Sequence, residues 1–328
     1  MIKFNLDALW YQNQGITWPF RSLSLLFSFI VALRRKLYHW GILKQQRFSI
    51  PVIVVGNLTV GGTGKTPLVI HLVELLKKEG FSPAIVSRGY KGSHSKPTFV
   101  YPHTDPQEVG DEAVLLATRL NCPIVVGKDR CQAVALLLQA RHNIDIVVSD
   151  DGLQHYALYR QIEIVVVDGE RRFGNGLCLP IGPLREPIER LKSVDFVVIH
   201  GGNAKENEFD MQSKPELSYN AALPELQQPL TFFQGIRVHA LAGIGNPKRF
   251  FDLLRNYGID VIEHAYSDHY LYKREDIYFS DDYPVIMTEK DAVKCVSFVS
   301  RQHWVLPIKA LVNSLFDVKL LALIKERT

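Results

Sequence analysis

The stretch from Ile50 to Gly80, IPVIVVGNLTVGGTGKTPLVIHLVELLKKEG, constrains this chain more than any other. Ile53, Val54 and Val55 form a β-branched run that reads as a buried strand. Gly61, Gly62 and Gly64 make a turn, and Lys65, Thr66 and Pro67 open a helix that closes at Gly80. Such a strand, glycine loop and helix suit a phosphate group. Glycines let successive backbone N–H groups converge, the helix N-terminus adds positive dipole, Lys65 reaches the outer phosphates, and the Thr66 hydroxyl is a magnesium ligand. In the usual G-x-x-x-x-G-K-S/T pattern the first glycine falls where this chain has Thr59, and Val60, Gly61, Gly62, Thr63 and Gly64 complete the loop. An ordinary glycine-rich βα turn is the plainer alternative. G-K-T between a strand and an amphipathic helix favours ATP or GTP over it.

With 328 residues, 47% hydrophobic and 22% charged, the chain can bury a large core. A net charge of +4 is too small to imply nucleic acid, so the placement of basic clusters matters more than their number. Cys122, Cys131, Cys178 and Cys295 are scattered without any C-x-x-C pair, which fits neither a disulfide framework nor a zinc site and suits a reducing compartment.

Between Trp18 and Trp40 lies an apolar core, Leu23 to Leu33, flanked by Arg21 and by Arg34, Arg35 and Lys36. It is shorter than the roughly 20 residues that span a bilayer, so it reads as a helix dipping into one leaflet, with a buried core helix as the alternative. Trp18, Tyr38, Trp40 and the basic triplet resemble interfacial anchors. No A-x-A-like site follows that would mark a signal peptide.

Strands are then expected at 83–87, 123–127, 143–151, 162–168 and 194–200, with helices at 108–120 and 130–141. This alternation implies a doubly wound, mostly parallel sheet, whose ligands sit at strand C-termini. Asp150 and Asp151 end one apolar strand, as magnesium-binding acids do, and Asp150 or Asp151 should face Thr66, with a solvated turn as the alternative. Asp111 and Glu112 fall in a helical first turn, where their plain role is to complement the dipole. Arg88 and Lys91 follow the 83–87 strand, as site residues or as a solvated turn. Arg171, Arg172, Arg185 and Arg190 lie in a glycine- and proline-rich loop suited to an anion, though Glu170, Glu186 and Glu189 interleave with them. Residues 201–229 read as an irregular connection and a boundary. Beyond it, strands at 237–242, 261–265 and 285–288 and a helix at 247–257 capped by Asn246 make a smaller α/β unit. It carries two polar clusters, Ser267 to Tyr270 and Thr288 to Asp291. The expected division is 1–45, 46–215 and 216–328.

GNLTVGGTGKTP (56–67), SRGYKG (87–92), VGDE (109–112), DDGLQHY (150–156), DGERRFGNGLCLPIGPLREP (168–187) and SDHY (267–270) together resemble the tetraacyldisaccharide 4′-kinases of lipid A synthesis. The resemblance implies a P-loop NTPase-like fold with a smaller C-terminal unit and an N-terminal membrane-associated helix. It also implies an ATP- and Mg2+-dependent kinase at the cytoplasmic face of the bacterial inner membrane, acting on an acylated glucosamine disaccharide 1-phosphate, with no obligate protein partner. It puts the nucleotide on Thr59 to Thr66, the metal on Thr66, Asp150 and Asp151, and catalysis on Lys65 and an Asp111–His269 pair. Arg88, Glu112, Arg171, Arg172 and Arg185 become the substrate-binding set. Ala113 stands where the D-E-P form of the acidic motif has proline. The competing class is a nucleotide-switched membrane ATPase, but such loops carry a lysine where this chain has Val60. Thr288 to Asp291 lacks the N-K-x-D order of GTPases.

Overall fold

A computed structural model describes residues 6–11, 18–140 and 143–327. The expected helix end at Arg141 lies outside the described residues. Eight strands come first: Val52–Gly56 (β1), Pro83–Ser87 (β2), Thr98–Phe99 (β3), Ile124–Val126 (β4), Ile146–Asp150 (β5), Ile162–Asp168 (β6), Phe196–His200 (β7) and Phe209–Pro215 (β8). A second group follows: Ser218–Asn220 (β9), Gln227–Gln228 (β10), Arg237–Ala242 (β11), Asp260–Ala265 (β12), Val285–Thr288 (β13) and His303–Leu306 (β14). Ile308–Val312 (β15) is the last. The helices are Leu6–Tyr11 (α1), Trp18–His39 (α2), Lys65–Lys78 (α3), Pro106–Val109 (α4), Asp111–Arg119 (α5), Arg130–Ala140 (α6), Pro247–Asn256 (α7), Glu289–Ala292 (α8) and Ser314–Arg327 (α9).

The larger sheet runs β15-β8-β7-β6-β1-β5-β2-β4-β3, parallel except at its two edges, where β15 and β3 pair antiparallel. Its central strand alternates strictly. Ile53 and Val55 face a core shared with Leu68, Leu72 and Leu76 of α3, Leu116 of α5 and Phe316 of α9. Val52 and Val54 face the opposite core, with Val134 and Leu137 of α6 and Phe27 of α2. Period-two alternation with apolar residues on both faces is what two helical layers require. The doubly wound expectation is met.

The smaller sheet runs β10-β9-β14-β13-β11-β12, with its β11 to β14 core parallel. Two details depart from the sequence reading. The supposed irregular stretch 201–229 contains β8, β9 and β10, and the chain returns to the larger sheet through β15 and α9, although Ile308 also packs against the core of the smaller unit. The β8 segment, FDMQSKP, pairs on one side with β7 and on the other with β15, and its polar composition hides it from a hydrophobic pattern. Asn246 takes the N-cap position of α7 but makes no side-chain cap bond there; Pro247 begins the helix.

No described helix is long and apolar enough to cross a membrane. α2 nevertheless leaves Leu23, Leu25, Leu26, Phe29 and Ile30 exposed, while Ser24 is buried and donates to the Cys178 carbonyl at 2.6 Å.

Candidate active site

The glycine loop joins β1 to α3 with Gly61 at φ 106° and Gly64 at φ 89°, the left-handed region glycine enters without strain. A Cβ on Gly64 would stand 2.1 Å from Nδ1 of His200. That histidine ends β7 and contacts the Ser213 hydroxyl at 2.7 Å through Nε2, with Arg249 of α7 at 3.1 Å from Nδ1. Burial and the Arg249 cation hold its pKa down to about 4, so it packs under the loop as a neutral ring. Gly245, just after β11, meets Gly62 closely enough that a Cβ there would lie 2.9 Å from the Gly62 nitrogen.

The two acids after β5 differ sharply. Asp151 is 3.4 Å from Nζ of Lys65, and Nη1 of Arg185 lies 3.2 Å from both its oxygens. Burial opposes its ionisation, but Lys65, Arg185 and Arg130 outweigh this and hold the carboxyl well below the usual range. Asp150 is 1% exposed, and its Oδ2 accepts from the Ser87 hydroxyl at 3.1 Å. Its Oδ1 is buried without a partner. Burial, with Glu112 and Asp151 adding repulsion against Lys65, pushes its pKa up to about 7. A buried, orphaned carboxylate oxygen near a loop that offers a hydroxyl suits a hard divalent cation, whose charge would also restore the anion. The residues therefore fit magnesium, with Asp150 as the open ligand and Asp151 already engaged by cations.

Asp111 opens α5 behind Gly110, which sits at φ 90°. Its Oδ1 accepts the Glu112 N–H at 2.8 Å, and Nδ1 of His269 lies 2.8 and 2.9 Å from its two oxygens. Burial raises the Asp111 pKa, but the His269 hydrogen bond and the Lys290 and Lys294 charges together leave it lowered. His269 follows β12 with φ 63°, in the left-handed region that few non-glycine residues enter, histidine among those that do so more readily. The pair lines a cavity of about 320 Å³ together with Tyr90, Lys91 and Lys294. A second cavity, of about 230 Å³, lies over Gly62, Gly64 and Thr66 and is closed by Ile244, Asn246 and Phe250 from the smaller unit. Between the units, Nζ of Lys290 bridges Glu112 and Asp268 at 2.9 Å each.

Arg185 is held on the site because the segment before it lies along the loop, with Val60 N donating to Pro183 O at 2.8 Å. Arg171 and Arg172 are turned elsewhere. Arg172 pairs with Glu208 at 2.5 Å, and Arg171 stacks over Tyr11 of α1 at 5.3 Å. Arg88 is exposed at the end of β2. Sequence reasoning gave no role to Arg130, whose Nη2 donates to the Asp151 carbonyl at 3.1 Å, or to His200 and Arg249, and it marked Lys290 only as part of a polar cluster. For Arg130 there was one signal: a cation in a helical first turn opposes the dipole and calls for a tertiary partner.

A parallel sheet with a glycine loop, the following Lys-Thr pair and acids closing the neighbouring strand defines a P-loop nucleotide-binding protein. Comparison with known proteins narrows the class. The family model described as tetraacyldisaccharide-1-P 4'-kinase (LpxK) matches residues 16–325, and the chain belongs to that family. Among similar curated proteins is the tetraacyldisaccharide 4'-kinase of Nitrosococcus oceani, 47% identical over 97% of this chain and 93% of its own length. The protein of the same description from Methylobacillus flagellatus is 46% identical over 97% and 95%. A crystal structure of "apo" form LpxK from Aquifex aeolicus in complex with ATP superposes with a TM-score of 0.77 at 28% identity, covering 92% of this chain and 98% of that one. These likenesses favour the kinase over a nucleotide-switched membrane ATPase.

Proposed function

We propose that this chain transfers the γ-phosphoryl group of ATP to the 4′-hydroxyl of a tetraacylated glucosamine disaccharide 1-phosphate, giving lipid IVA. The observation that carries the proposal is the buried Asp111–His269 pair opening on a cavity it shares with Tyr90, Lys91 and Lys294, in a member of this family. Phosphoryl transfer asks chiefly for positioning and charge neutralisation. In this reading the loop amides of residues 59–64 cradle the phosphates, and Lys65 exchanges its Asp151 partner for the transferring group. Thr66 and Asp150 hold magnesium, which supplies charge neutralisation when bound. The Asp111–His269 unit takes the hydroxyl proton; His269 orients the carboxylate through Nδ1, and Lys294 keeps it anionic. Lys290, tied to Glu112 and Asp268, draws the two units together over the reactants.

The organisation follows. Residues 46–215 with 308–327 carry the nucleotide, residues 216–307 close over it, and the 1–45 segment lays the exposed apolar face of α2 on the cytoplasmic surface of the inner membrane, with Arg34, Arg35 and Lys36 toward anionic headgroups. Arg88, Glu112 and Arg185 remain near the acceptor side; Arg171 and Arg172, beside α1, suit a lipid phosphate nearer the membrane. No nucleic acid or obligate protein partner enters this reading. The test is incubation with γ-labelled ATP and the lipid disaccharide 1-phosphate. Label in the lipid is expected, and label released only as inorganic phosphate overturns the proposal.

A further inference from the structure

The DDGLQHY segment contains one side chain the proposed reaction leaves unused. Gln154 and Tyr156 both bond to the buried Glu186, whereas Nε2 of His155 is buried and has no hydrogen-bond partner. That nitrogen lies 3.6 Å from Oδ1 of Asp129. One ligand atom each from Asp129, Cys131 and His155 falls within 4.8 Å of the others. A tetrahedral zinc, with bonds of about 2.0–2.3 Å, sets its ligand atoms about 3.3–3.7 Å apart. The Asp129–His155 separation already meets this, and the Cys131 sulfur lies within 4.8 Å of both ligand atoms.

We propose that Asp129, Cys131 and His155 form a binding site for a thiophilic divalent cation, zinc above all, at the start of α6 and separate from the magnesium-binding acids. The chemistry of the three groups agrees. Burial and the neighbouring Arg130 hold His155 down to about 4, so its ring is neutral with a lone pair free. Burial and Asp129 push the Cys131 thiol up to about 11, so a cation must displace its proton to solvent, which soft metals do and magnesium does not. Arg130, Arg160 and Arg34 all bear on His155, and the first two have acceptors of their own. Arg130 donates to the carbonyls of Gly127, Lys128 and Asp151, and Arg160 pairs with Glu163. Asp129 is half exposed, leaving the fourth position to water. Thiolate and carboxylate then offset the metal's charge. The sequence reading set zinc aside because these ligands share no zinc-binding spacing.

Cobalt(II) is the probe, since a thiolate-to-cobalt charge-transfer band reports sulfur ligation directly. The full-length protein titrated with Co2+ in excess Mg2+ should develop this band and lose it on adding one equivalent of Zn2+. Zn2+ should also raise the melting temperature. Cys131→Ser should abolish the band, and His155→Asn should weaken Co2+ affinity at least tenfold. A wild-type protein that shows no band at saturating Co2+ overturns the site, without recourse to any variant. A band that survives intact in folded Cys131→Ser assigns the metal to another cysteine and overturns it equally.

Discussion

Nδ1 of His269 lies 2.8 Å from Oδ1 and 2.9 Å from Oδ2 of Asp111, although 158 residues separate the two in the chain. Asp111 starts a helix of the larger unit and His269 follows an edge strand of the smaller one, so the pair exists only when the units meet. If they accept the proton as one group, Asp111→Ala and His269→Ala should each slow single turnover by about 10²–10⁴-fold while leaving ATP affinity nearly intact. The double variant should lose little more, because either change already disables the unit. A double-mutant cycle at saturating ATP and lipid measures this, and losses that multiply would return Asp111 to a helix-terminal role.

Lys65 and Asp150 separate charge neutralisation from metal binding. Lys65→Ala should cut transfer by at least about 10²-fold, the scale on which removing a donor to developing charge acts. The variant should stay folded, since Arg185 still pairs with Asp151. Asp150→Asn should lower transfer comparably and raise the magnesium concentration needed for half-maximal rate. Near wild-type turnover in either folded variant would reject the assigned role.

Asp150 also predicts a pH dependence of stability. Its folded pKa, about 7, lies above the ordinary aspartate value of 3.8, so the folded state holds the extra proton between these values. Stability should therefore fall as pH rises from about 4 to about 7, with the full cost present above that window. Asp150→Asn should flatten this component relative to wild type, and magnesium should do the same by favouring the anion. Melting temperatures across pH 4 to 8, with and without the metal, test it; equal slopes in the wild type and the variant would show that Asp150 is not the source.

The α2 surface gives a prediction that leaves the fold alone. Leu25 is 67% and Phe29 64% exposed, so Leu25→Asp with Phe29→Asp should hardly change melting temperature. Each residue is worth roughly 1.5–3 kcal/mol if it becomes buried in lipid, so vesicle binding should fall at least tenfold. Sedimentation with anionic vesicles reads this, and the remaining binding should weaken with salt. Unchanged sedimentation would point to a helix that does not serve the membrane.

The nucleotide loop, the alternating β1 strand and the α3 and α5 helices were legible because their signals are local: side-chain period, glycine placement and first-turn acids lie within a few residues of one another. The same locality explains what was missed. The pairing of the polar strand β8 with β15, and with it the return of β15 and α9 to the larger sheet, joins segments about a hundred residues apart, which no periodicity encodes. The arginine-rich loop showed its composition but not its partners, so Arg185 reached Asp151 while Arg172 turned to Glu208.

By itself the sequence determined a P-loop α/β protein with acids at a strand end, and its combined motifs pointed to one kinase family. Only the tertiary structure decided how the two acids differ. Asp150 and Asp151 are adjacent in the chain, yet one is buried with an orphaned oxygen and the other is neutralised by Lys65 and Arg185. Charge state follows from desolvation and from the cations packed around a group, and both are set by how distant segments close over it.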